Sequence, residues 1–405
     1  MKKTLLTICL VWMCFSLSAQ KIIDLSGKWS FSIDRQDNGE KEKWFSHTLN
    51  DFINLPGSMP EKLKGDEVTA KTQWTGSLYD SSYYYNPYME KYRKEGNIKF
   101  PFFLTPDKHY VGAAWYQKEV NIPADWKGER ILLFLERPHI ETTVWVNGQK
   151  TGMQNSLCVP HQYDITHYVR PGKCTITIRV DNRIKEINVG PDSHSITDQT
   201  QGNWNGIVGR ICLQTTPKTY FDDIQIYPEP EQKLARVKVV IKGTGTAKVK
   251  LSAESFNTDK KHIVPAIQQE IKLNKGVTET EMVLPMGNDM LLWDEFHPAL
   301  YKLKAEVTNG KKTEIKEIQF GMRRFEIKGK WFYVNGRKTQ LRGTVENCDF
   351  PLTGYAPMDV ESWERVFRIC RSYGLNHMRF HSFCPPEAAF MAADRVGFYL
   401  QPEGP

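Results

Sequence analysis

Beyond its first twenty positions the sequence has no continuous apolar run of about 18 residues, so nothing there reads as a membrane-spanning helix. It has no CxxC pair, no zinc-finger spacing and no Lys/Arg stripe. Its basic residues are interleaved with acidic ones, as in Lys41-Glu42-Lys43 and Lys91-Tyr92-Arg93-Lys94-Glu95. That pattern disfavours nucleic acid as a partner. No P-loop, HExxH or Ser-His-Asp order offers a nucleotide, zinc or serine-nucleophile chemistry. Cysteine is sparse. Of eight, Cys9 and Cys14 fall in the N-terminal segment, and Cys158, Cys174, Cys212, Cys348, Cys370 and Cys384 are widely spread. Without a dense disulfide framework they read as buried free thiols.

Aromatic residues, by contrast, are abundant: 11 Trp, 17 Tyr and 20 Phe in 405 residues. Rings on this scale suit β-sandwich cores, and secondarily surfaces that stack on sugars. A hydrophobic content of 40% with 25% charged residues is that of a soluble globular chain, and the length suits two or three domains. The formal net charge is +7, to which Lys2 and Lys3 contribute. These two lysines precede an apolar run from Leu5 to Leu17 and the small residues Ser18 and Ala19. That order is a secretory signal peptide over residues 1–19, predicting export to the periplasm or medium. Cys14 follows the bulky Val11-Trp12-Met13, which argues against lipoprotein cleavage.

From 20 to 217 the pattern is all-β. Trp115–Val120 alternates, Ile131–Leu135 is a buried run, and Thr142–Val146 leads into Asn147-Gly148, a strong hairpin signal. Thr175–Val180 is a further alternating strand. Many short strands with no amphipathic helix predict a jelly roll or sandwich. A polar, Tyr-rich stretch over about 58–110 reads as a long insertion. Residues 218–320 carry Val237–Ile241, Lys248–Leu251, Glu270–Leu273 and Tyr301–Val307, about seven short strands in all, the size of an immunoglobulin-like sandwich. After Gly321 the period changes. Thr339–Arg342 reads as a strand, and Asp359 caps a helix whose face is Val360, Trp363, Val366, Phe367, Cys370 and Tyr373. Asn376–Phe380 is a second strand, Pro386 opens a second helix, and Phe398–Leu400 begins a third strand. This β-α-β-α-β order implies parallel strands wrapped by helices. A piece of that size should expose apolar edges and be poorly held alone.

Several motifs resemble those of glycoside hydrolase family 2, the family of β-galactosidases and β-glucuronidases. They are Gly112-Ala113-Ala114-Trp115-Tyr116, Val144-Trp145-Val146-Asn147-Gly148, Asn203–Arg210, Gly321-Met322-Arg323, Phe332–Gly336 and Leu341-Arg342-Gly343. The strongest is Asn376-His377-Met378-Arg379 followed by Asp394 and Gly397–Leu400. The resemblance implies a multidomain chain: a jelly-roll sugar-binding domain at 20–217, an immunoglobulin-like β-sandwich at 218–320, and the start of a TIM (β/α)8 barrel at 321–405. Three departures mark a divergent subgroup. Thr344-Val345-Glu346-Asn347 replaces the usual continuation of strand one, His381 stands one place early, and Thr200 takes the place of an acidic residue.

In such barrels the site lies at the C-terminal ends of the strands. Glu346, Asn347, Arg379, His381 and Glu403 hold that address here. Together with Asn203 and Trp204 of the sugar domain they are the candidate substrate-binding residues. The resemblance further implies hydrolysis of β-glycosides by a retaining pair of carboxyl groups about 5–5.5 Å apart. That pair belongs to barrel strands four and seven. A whole barrel takes roughly 250 residues, whereas the stretch after Phe320 holds only three strands, so the nucleophile and acid/base are expected beyond Pro405. No catalytic residue is therefore assigned within the 405, and the chain alone is expected to be inactive. No cofactor is required, while a structural or substrate-assisting metal ion stays open. Partners are an oligosaccharide or polysaccharide, with a homo-oligomer compatible. The rival reading is a non-catalytic carbohydrate-binding or structural fragment.

Overall fold

The computed structural model describes residues 21–75, 85–99, 101–185, 190 and 193–404. The expected signal peptide over 1–19 and the tyrosines Tyr79, Tyr83 and Tyr84 lie outside them. The first unit is a two-sheet sandwich. One sheet orders Ile22–Asp24, Gly206–Thr216, Arg130–His139 and His161–Asp164, with Gly57–Ser58 paired to the start of Gly206–Thr216. The other orders Gln149–Asn155, Glu141–Val146, Gly172–Asp181, Ala113–Ile122, Gly27–Asp34 and Asp51–Leu55. Between them lies a closed apolar core containing Trp29, Phe31, Tyr116, Leu133, Val144, Ile178 and Leu213.

The outer face of the six-stranded sheet is also covered, which the alternation in the sequence did not convey. Trp115 and Trp145 are buried there under Leu49, Trp44 and Phe45. The Trp115 indole donates to Asp34 Oδ2 at 2.9 Å, satisfying its one polar atom. Strand Glu141–Val146 is consequently buried at every position. It ends in the hairpin at Asn147-Gly148, whose φ values of 50° and 77° are both left-handed, as a type I′ turn demands.

The second unit is a sandwich built from one five-stranded sheet folded over a core of Val237, Val249, Leu251, Tyr301 and Leu303. Here the expected seven short strands are corrected to five longer ones. Val237–Ile241 and Lys248–Leu251 are parts of one strand, Leu234–Phe256, paired along most of its length with Ile263–Pro285. The register shifts between Gly243 and Gly245, where the chain bends without breaking the ladder. The near half of this strand pairs with Tyr220–Glu229 and the far half with Leu300–Asn309, which then pairs with Lys312–Phe320.

After a three-stranded antiparallel meander (Phe325–Lys328, Trp331–Val334, Arg337–Thr339) the chain forms three parallel strands, Gly343–Glu346, His377–Phe380 and Tyr399–Gln401. Helices α1 (Val360–Ser372) and α2 (Glu387–Val396) connect them. The reading of Thr339–Arg342 as the first of these strands is corrected by a few residues. Thr339 closes the meander, and the parallel strand opens at Gly343. Asp359 caps α1, its side chain accepting the Ser362 N–H at 2.8 Å. Trp363 and Phe367 enter the core with Phe380 and Phe398. Burial of each such ring is worth about 1.5–3 kcal/mol. Tyr373, placed on that face by spacing, lies past the end of the helix and is 81% exposed.

The expectation that this parallel unit is poorly held is also revised, because both sandwiches buttress it. Gln319 bonds Asp394 Oδ2 at 3.0 Å, the Trp293 indole donates to the Asp394 carbonyl at 2.7 Å, and Arg371 donates to the carbonyl of Glu295 at 2.5 Å. From the first sandwich, Ser58 Oγ donates to the Thr353 carbonyl at 2.5 Å and Arg137 to that of Cys384 at 2.9 Å.

Candidate functional site

Parallel pairing sets Glu346 beside Phe380, and Arg379 beside Gln401, so the three strands end together. Those ends and the loops that leave them carry Glu346, Asn347, His381 and Glu403. The His381 N–H donates to the Glu346 carbonyl at 2.9 Å, locking the first two ends together. Arg379 reaches from the second strand to the third. Its Nε and Nη2 donate to the two oxygens of Glu403 at 2.5 and 3.0 Å, and the Ser382 N–H adds a third bond at 2.8 Å. The Ser382 N–H and the Arg379 fork together hold the Glu403 carboxyl below its ordinary range. Glu403 is thus a fixed anion at the strand ends, and Arg379 is the residue that fixes it.

Glu346 Oε1 accepts the N–H of Cys348 at 2.9 Å, drawing the loop after strand one into a tight turn with Cys348 at φ 62°. That turn brings Asp349, which sequence reasoning missed, close to Glu346 and His381. Burial, then the charge of Glu346, push the Asp349 carboxyl up to about 6, with His381 opposing. Its Oδ1 is buried and meets no donor. A carboxyl that is half-buried, unsatisfied and set against a second acid is poised to accept a hydroxyl from a ligand. Its only sequence signal was its place in the loop that follows the first parallel strand.

The first sandwich supplies the other wall. Gln201, 5% exposed, donates its amide hydrogens to the carbonyls of Asn347 (2.9 Å) and His381 (2.8 Å). The imidazole of His194 packs on that of His381, ring centroids 4.2 Å apart. Burial and the charge of His381 hold His194 below the usual histidine range, and its Nδ1 is buried without a partner. Thr200 closes this loop on itself, its hydroxyl donating to the His194 carbonyl at 2.6 Å. Neither Gln201 nor His194 carried a motif.

Of the seven candidates, the structure gathers Glu346, Asn347, Arg379, His381 and Glu403 at the strand ends. Asn203 and Trp204 it places behind them, each 6% exposed. Asn203 joins His139 Nε2 (3.0 Å) to the Asn182 carbonyl (2.9 Å), and Trp204 stacks on His139 and meets Tyr355 at a tilt. Burial depresses the His139 imidazole to about 3, so at neutral pH it is an uncharged donor to Asn203. These two residues shape the joint between the sandwich and the parallel unit. Among the described residues no group of three or more His, Cys, Asp or Glu side chains is placed to hold a metal ion, and no helix is long and apolar enough to cross a membrane.

Two β domains ahead of a parallel unit whose strand ends collect acids, an arginine and histidines match one family over most of the chain. Residues 22–217 match the sugar-binding domain of glycosyl hydrolases family 2, and 219–323 match the following domain of the same family. The chain belongs to glycosyl hydrolase family 2.

Among individual proteins, it is 27% identical over 309 residues to a putative β-glucuronidase of Formosa agariphila, covering 75% of this chain and 36% of that protein. It is 23% identical over 420 residues to the β-glucuronidase of Homo sapiens (94% and 57% covered), and 24% identical over 328 residues to a β-galactosidase of Thermoanaerobacter pseudethanolicus (76% and 42%). In fold it is similar to the β-glucuronidase of Ruminococcus gnavus, with a TM-score of 0.70, 19% identity and 96% of this chain on 60% of that one. A family 2 member from Bacteroides cellulosilyticus gives a TM-score of 0.68 at 19% identity, with 95% and 46% covered. The chain spans about half the length of the relatives it matches.

Proposed function

We propose that the chain forms the front half of an exported β-glycosidase, and that its parallel unit is the opening of a (β/α)8 barrel with the substrate cleft at the strand ends. The observation that carries this reading is the convergence of Glu346, Asp349, His381 and the Arg379–Glu403 pair where βα loops meet, in a member of a glycosidase family. Glu346 and Asp349 accept sugar hydroxyls, and Glu403 holds the second and third strand ends in register through Arg379. Hydrolysis is retaining, by a nucleophile and an acid/base in sequence that follows Pro405. The β-glucuronidases and β-galactosidases among its relatives support a β-linked substrate. The leader at 1–19 directs the protein to the periplasm or medium.

The test is an assay of two proteins on a panel of nitrophenyl β-glycosides: the 405-residue chain, and the chain extended by the reading frame that follows it. The extended protein is expected to turn over at least one glycoside with retention at the anomeric carbon, read by proton NMR. The 405-residue chain is expected to show no turnover above buffer. Inversion would overturn the two-carboxylate assignment, and binding of glycans without turnover by the extended protein would favour a carbohydrate-binding module.

A further inference from the structure

The joint between the first sandwich and the parallel unit brings two cysteines, one from each unit, to a single guanidinium nitrogen. Arg137, 8% exposed, sends Nη2 to Cys158 Sγ at 3.6 Å and to the Cys384 carbonyl at 2.9 Å, while its plane lies over the Phe383 ring at 4.7 Å. The Cys158 sulfur therefore lies no further from the Cys384 carbonyl than those two bonds laid end to end. The thiols also feel each other directly: burial, then Cys158, raise the Cys384 thiol above its usual range, while Arg137 opposes. Both cysteines are partly exposed, whereas Cys174, Cys212 and Cys348 are buried. None of the six described cysteines is joined in a disulfide.

We propose that Cys158 and Cys384 are a disulfide-forming pair that fastens the sugar-binding sandwich to the loop after the second parallel strand. The oxidant is a small-molecule disulfide. The Cys158 thiol loses its proton and attacks one sulfur of the oxidant, expelling one thiolate. Cys384 then attacks the mixed disulfide at Cys158 and expels the second. Two cysteine thiols are oxidised, one oxidant disulfide is reduced to two thiols, and the two protons released protonate the departing thiolates. The new bond anchors the loop whose Ser382 N–H holds Glu403, so the oxidised chain has a cleft wall tied to its neighbour.

The chain is equilibrated with oxidised or reduced glutathione, free thiols are blocked with N-ethylmaleimide, and the unreduced digest is read by mass spectrometry. After oxidation, label is expected to be lost from Cys158 and Cys384 together, with a linked peptide pair joining them. The thermal midpoint should rise, and the rise should vanish in both Cys158→Ser and Cys384→Ala. Full labelling of both thiols after oxidation would overturn the proposal. So would separate glutathione adducts on each, or a link from Cys158 to Cys348, which lines the same small cavity at this joint.

Discussion

Asp349 is the residue at which stability and the proposed ligand binding oppose each other. Its folded carboxyl titrates near 6 against an ordinary 3.8, with burial the chief cause. The folded state thus favours the protonated acid. The stability this gives is fully present below about pH 4 and is lost as the pH rises through 6. Asp349→Asn, which mimics the neutral acid, should raise stability at pH 7.5 by about 1–2 kcal/mol after allowance for solvent screening, and change little at pH 4. Urea unfolding at the two pH values checks this, and equal effects at both would remove the titration argument. Arg379 poses a different question, because its bidentate grip on Glu403 is a matter of shape as well as charge. In the extended enzyme Arg379→Ala should lower kcat more than it raises KM, and Arg379→Lys should restore only part of the loss, since an ammonium cannot present the planar fork. Unchanged kcat in the alanine variant would make the pair structural. Arg379 and Glu403 were legible in the sequence because both stand where strands end. Asp349 was not, because its importance comes from a turn at Cys348 that no local pattern announces.

Among elements, the ends of the two helices make a controlled comparison. Both α1 and α2 are followed by a left-handed glycine, Gly374 at φ 81° and Gly397 at φ 76°. A Cβ on Gly374 would meet nothing within 4 Å, but on Gly397 it would stand 2.6 Å from the Glu295 carbonyl of the second sandwich. Gly374→Ala should therefore cost only the left-handed penalty, about 1–2 kcal/mol. Gly397→Ala should cost clearly more and also loosen α2. Hydrogen exchange across Glu387–Val396 separates the two, and equal protection in both variants would mean the sandwich yields. Helix α1 was readable from sequence because Trp363 and Phe367 recur at helical spacing under an aspartate cap, and α2 because Pro386 opens it and Gly397 ends it. The long strand Leu234–Phe256 was not, since Gly243-Thr244-Gly245 has the composition of a turn. Only pairing with a strand of equal length, Ile263–Pro285, keeps it extended through the bend.

At the scale of the whole molecule, the three units keep separate apolar cores and are joined by hydrogen bonds and ring contacts. Trypsin should cut first in the stretch around the exposed Lys91 and Lys94 and leave residues 343–401 intact while the sandwiches stay folded. Peptide mass mapping over a time course reads this out, and early trimming back to Phe320 would show that the joints do not hold. The order of units was legible from strand and helix periodicity. Their joints were not, because Gln201 meets partners 146 and 180 residues away. That amide has a consequence for recombination. A chimera that kept every cleft residue of the parallel unit but took its sandwich from another protein would lose the group that sets the spacing of two loops. Under the proposed function, substrate preference is set by two domains jointly, and neither can be exchanged as an independent part.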